Sequence, residues 1–82
     1  SDAPAKMTFK DKHALETLPA RMTALEKEIA ALHDVLADSA LYARDPKKFA
    51  EASAKLEKAQ AEFSASEEKW LELEMLRETL EG

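Results

Sequence analysis

The chain has 82 residues, a formal net charge of −5, one Gly and no Cys. That is enough for one small domain but not for a large globular core, and it excludes disulfides and thiolate–metal sites. No apolar run approaches the roughly 20 residues that span a bilayer. No signal peptide is visible, and the lack of Cys fits a reducing cytoplasm, the expected location. Ala, Leu, Glu and Lys dominate, the composition of a long-helix protein.

Residues 1–6 are polar, contain Pro4 and read as a linker end or a remnant of a longer chain. Residues 7–82 read as a single domain. Thr8, followed three residues later by Asp11, resembles a capping arrangement for a helix starting near Phe9. From there Leu15, Leu18, Met22, Leu25, Ile29, Leu32 and Leu36 step alternately by three and four, the a/d seam of a coiled coil. Pro19 interrupts this ladder. It removes one helical hydrogen bond and crowds the carbonyl of Leu15. Either residues 9–18 form a short separate helix followed by a second over 19–37, or one helix kinks at Leu18-Pro19.

Asp38-Ser39 ends the first run, and residues 38–45 form a loop. Asp45-Pro46 restarts a helix, with Asp accepting orphan amides and Pro placed where its missing N–H costs nothing. No Gly or Pro follows until the last residue, so this helix runs over about 46–80, roughly 50 Å long. Its ladder is Phe49, Ala52, Leu56, Ala59, Phe63, Ser66, Trp70 and Leu73. Folding the ladders back on each other sets Leu36 against Phe49, Ile29 against Leu56, Met22 against Phe63 and Leu15 against Trp70. Ser66 falls near the proline. The expected fold is all-α, an antiparallel two-helix coiled-coil hairpin with a break or kink near Leu18-Pro19. The first helical stretch, extended back to Phe9, is expected to cover Leu73 and Leu76, and Leu41 and Tyr42 to plug the open end. Trp70 reads as core, or else as an aromatic for a partner.

Catalysis is not expected. His13 and His33 lie too far apart to share a metal, the carboxylates sit where solvated helix faces need them, and no phosphate-cradling Gly-rich loop exists. The charge distribution is more informative. Residues 44–60 carry five basic side chains against three acidic ones, whereas residues 61–82 carry seven Glu against Lys69 and Arg77. On a wheel with Lys47 at zero, Lys58 falls near 20°, Lys55 near 80° and Lys48 near 100°, beside a seam centred about 160°. With Arg44 just before them, these lysines form a stripe that can track a phosphate backbone, interrupted by Glu51 and Glu62. The same stripe also suits a solvated flank whose Lys stems shield the seam. Tyr42, at the tip, could stack on a base or cap the loop locally.

Three ordered pieces carry a family resemblance. They are Phe9-Lys10 with Leu15-Glu16-Thr17-Leu18-Pro19-Ala20-Arg21 and Leu25-Glu26-Lys27-Glu28-Ile29; Ala37-Asp38 with Leu41-Tyr42-Ala43-Arg44-Asp45-Pro46 and Phe49; and Glu67-Glu68-Lys69-Trp70-Leu71-Glu72-Leu73-Glu74. Over residues 7–80 the chain resembles the C-terminal domain of Uup-type ABC-F ATPases, departing from it at Asp11-Lys12-His13. The resemblance implies a hairpin bent near its Leu-Pro, appended to two ATP-binding cassettes. ATP and Mg would belong to those cassettes, and no cofactor or metal to this segment. It also implies association with ribosomes and, in the Uup branch, DNA binding.

The resulting expectation is a non-catalytic accessory domain that binds DNA or ribosomal RNA. Arg44, Lys47, Lys48, Lys55 and Lys58 would make phosphate contacts, and Tyr42 would be a candidate stacker. The alternative is an arm that contacts ribosomal proteins or the parent cassettes through the acidic end at Glu67–Glu81. A plain spacer or self-associating coil is the third reading. No membrane or small-molecule partner is expected.

Overall fold

The computed structural model describes residues 6–81, so the expected linker at residues 1–6 lies almost wholly outside the described residues. Three helices follow in order: α1 over Phe9–Leu36, the one-turn α2 over Leu41–Arg44, and α3 over Pro46–Glu81. α1 and α3 pack along each other, and α2 packs on α3 at the closed end. The result is an all-α hairpin with principal extents of 57 × 22 × 17 Å.

Helix starts follow local chemistry. The Thr8 hydroxyl accepts from the Asp11 amide at 3.1 Å, closing the N-terminus of α1. Asp45 Oδ1 accepts from the Lys48 amide at 3.1 Å and does the same for α3. At the end of α1 the Ala37 amide turns back onto the last-turn carbonyls, donating to His33 at 2.9 Å. Asp38 then ties the turn. Its Oδ1 accepts from the Ala40 amide at 3.0 Å and its Oδ2 from Arg44 Nη2 at 2.8 Å. Residues 38–45, expected as loop, therefore contain α2.

Of the two arrangements open at Leu18-Pro19, the structure has the single helix: residues 9–18 and 19–36 are not separate, and α1 is continuous with Pro19 inside it. Proline fixes φ at a value a helix uses, so its cost is a lost amide and crowding at one turn, and the seam on both sides outweighs that. Thr17 and Thr23 lie either side. Their hydroxyls donate to the carbonyls of His13 at 3.0 Å and Pro19 at 3.1 Å. Phe9, at the start of α1, is 87% exposed, while Met7 is buried. Stepping back from Leu15 by four and then three leads through Asp11 to Thr8, so Phe9 stands off the seam. Met7, just outside the cap, shares a hollow with Lys12, Arg77 and Leu80 instead.

The core is the seam. Leu25 and Leu41 are its most completely enclosed side chains, each 1% exposed. On α3 the buried positions are Ala52, Ala59, Ser66 and Leu73, while Phe49, Leu56, Phe63 and Trp70 are half-buried. The small residues thus lie under α1 and the large ones close over the edges of the interface. Trp70 leans along this edge and lines a shallow groove with Pro19, Met22, Thr23 and Glu26. Helical side chains tilt toward their own N-terminus, which for α3 is the closed end, in keeping with an indole that shares its groove with Met22. No buried side-chain polar atom among the described residues lacks a partner.

Candidate nucleic-acid interface

The lysine stripe lies on α3 in its loop-proximal half, and all of its members are exposed. Two hollows between α1 and α3 arrange it. Lys48 and Lys55 border the first, of about 200 Å³, with Leu32, Val35, Glu51 and Ala52. Lys55 also borders the second, of about 310 Å³, with Lys58, Ala59 and Glu62 from α3 and Arg21 and Glu28 from α1. Lys48, Lys55 and Lys58 therefore follow one continuous flank of the interhelical groove. Lys47 borders neither hollow.

Arg44 stands at the tip, bound to Asp38. The Arg44 guanidinium, and after it the Ala40 amide, hold the Asp38 carboxyl below its ordinary range. Tyr42 is 66% exposed and does not plug the hairpin, a task that falls to Leu41 alone. Its ring meets Phe49 edge-on, with centroids 5.2 Å apart and planes at 89°. That contact holds the phenol at the tip while leaving most of the ring open.

One cation on this flank escaped the sequence reading. Arg21 reaches across from α1, and its Nε donates to Glu62 Oε2 at 2.6 Å. This hydrogen bond, reinforced by the opposite charge, raises the Arg21 pKa and lowers that of Glu62. Lys58 adds to the second effect. The expected register sets Arg21 opposite Ser64, two residues from Glu62, so the signal lay in the pairing itself. Arg21 lies on α1, so the stripe of lysines along α3 does not include it.

The flank is mixed in sign, since Glu28, Glu51 and Glu62 stand among Arg21, Lys48, Lys55 and Lys58. Such an edge can take evenly spaced anions between its carboxylates, but it does not present a uniform positive field. The opposite end of α3 differs. Leu71 and Met75 are exposed there, in an open depression of about 530 Å³ shared with Ala65, Glu68, Lys69 and Glu72.

The hairpin has a Leu-Pro inside α1 and an Asp-Pro opening α3, and most of it falls within a family match. Residues 6–75 match the ABC transporter C-terminal domain. The chain belongs to that family. It is thus an accessory domain of an ABC protein, in agreement with the resemblance found in its sequence. No curated protein and no solved structure matches it. Among the described residues, no helix of this ABC C-terminal domain is long and apolar enough to cross a membrane.

Proposed function

We propose that this domain is a non-catalytic accessory arm of a cytoplasmic ABC-F type ATPase that binds DNA or ribosomal RNA mainly through phosphates. The observation that carries the reading is the run of Lys48, Lys55 and Lys58 along one groove edge, with Lys47 and Arg44 toward the tip. Lysines on a rigid helix present charge at fixed intervals, as a nucleic-acid backbone does. Nothing at the edge is shaped to read bases, so sequence preference should be low. Tyr42 offers a ring face at the tip for an unpaired base.

The test is a fluorescence-anisotropy titration of labelled duplex DNA and structured RNA. The wild-type domain is compared with a variant carrying Lys47→Glu, Lys48→Glu, Lys55→Glu and Lys58→Glu. The reading predicts binding by the wild type at low salt and its loss in the variant, with helicity retained. Equal binding by both proteins would refute it.

The depression at Leu71 and Met75 favours a second reading, an arm that binds a basic protein surface, on a ribosomal protein or the parent cassettes, through the acidic end. Neutralising Glu67, Glu68, Glu72 and Glu74 to Gln would abolish that binding, whereas reversing the four lysines would not.

A further inference from the structure

We propose that the hollow between α1 and α3 bounded by Arg21, Lys55 and Lys58 seats one backbone phosphate of the bound nucleic acid, with Arg21 as its anchor. The inference deepens the nucleic-acid reading and rests on it. Three cations from two helices meet at this one hollow, which measures about 310 Å³. Ala59 forms part of its lining and is buried, so no long side chain fills the space between the basic groups.

The guanidinium is held in a suitable way. Arg21 spends only Nε on Glu62, and among the described residues no hydrogen bond engages either Nη group. Four N–H donors remain on the two Nη groups, whose outward pair forms the planar fork that matches a phosphate edge. Glu62 then acts as a positioning residue that fixes the plane of the fork. Its negative charge also opposes the ligand, and so does that of Glu28 on the facing α1 wall. Lys55 and Lys58 offset the two carboxylates. The Arg21–Glu62 pair is open to solvent, with side-chain exposures of 50% and 40%, so it contributes little to folding and either member can be replaced without loss of the hairpin.

The two residues therefore have opposite predicted effects. In Arg21→Gln the anchor is gone: affinity for duplex DNA and structured RNA should fall about fivefold to tenfold, and the salt slope should shrink by about one. In Glu62→Gln the amide oxygen still accepts from Arg21 Nε while the charge is removed, so affinity should rise. Arg21→Lys, which keeps charge but not the fork, should fall between Arg21→Gln and wild type. A merely structural role for the ion pair predicts instead that Arg21→Gln and Glu62→Gln weaken binding together, with a matching loss of thermal stability. That result, or wild-type affinity and slope in Arg21→Gln, would overturn the phosphate seat. If the wild-type domain binds neither nucleic acid at low salt, the functional reading itself fails, and the seat with it. Loss of binding in the lysine variant but not in Arg21→Gln would keep the reading and remove only the seat.

Discussion

Leu25 shows what the seam does for stability. It is enclosed near the middle of α1, and replacing it with Ala would leave a void under a rigid helix pair. Leu25→Ala should cost about 2–5 kcal/mol in urea denaturation. Leu71→Ala, on the outer face of α3, should change stability by less than about 0.5 kcal/mol. Equal effects would contradict the assignment of the seam. The alternating ladder made Leu25 legible in the sequence, since only one face of α1 could hold it. Phe9, Tyr42 and Trp70 were less legible. Side-chain tilt, and where the seam meets the helix end, decide whether such a ring is enclosed, and hydrophobicity alone carries neither.

Charge at single residues predicts an acid limit. Asp38 is lowered by Arg44 and the Ala40 amide, and Glu62 by Arg21. A carboxyl held below its unfolded value contributes stability that is fully present above the unfolded pKa and is lost as pH falls through the folded one. Thermal stability should therefore be flat with respect to these two groups near neutrality and decline only slightly below about pH 4, because both pairs are open to solvent. Asp38→Asn with Glu62→Gln should flatten that decline. An unchanged acid profile in the double variant would show that other groups govern it.

Among the elements, α1 is the one interrupted by a proline in its interior. Pro19 deprives one turn of its amide donor, yet the helix continues because seam leucines on both sides are held by α3. Pro19→Ala should restore the bond and raise stability by about 2 kcal/mol, with a gain in far-UV helicity. A loss of stability would mean that the groove beside Trp70 depends on the ring of Pro19. Removing the cap in Thr8→Ala should cost about 1 kcal/mol and increase amide exchange in the first turn.

Both helix starts were legible as short capping signals. The single turn of α2 was not. It depends on Asp38 gathering the Ala40 amide and the Arg44 side chain, contacts that become visible only once the chain has turned. The fate of Leu18-Pro19 was left open for a similar reason: local propensity argues for a break, and tertiary packing decides against it.

At the scale of the whole molecule, the hairpin is a rod about three times longer than it is wide. Its loop-proximal half bears most of the lysines of α3 and its far half most of the glutamates. That polarity was readable from the sequence. The meeting of Arg21 with Lys55 and Lys58 needs that stripe and the antiparallel register taken together, since the register sets Arg21 opposite Ser64, two residues from Glu62. A rod of this kind can place a basic tip and edge against a polyanion while its other end remains directed elsewhere. Membership of the ABC transporter C-terminal domain family makes this rod an accessory domain of an ABC protein.

The most direct test is the salt dependence of binding to duplex DNA by the wild-type domain. Each phosphate neutralised on duplex DNA contributes a slope of about −0.9 in log affinity against log salt. Engagement of three to five phosphates by the basic edge predicts a total slope of roughly −3 to −5. A measurable affinity at low salt with a slope in that range would support the phosphate-tracking edge. A slope near zero, or no binding at low salt, would contradict it.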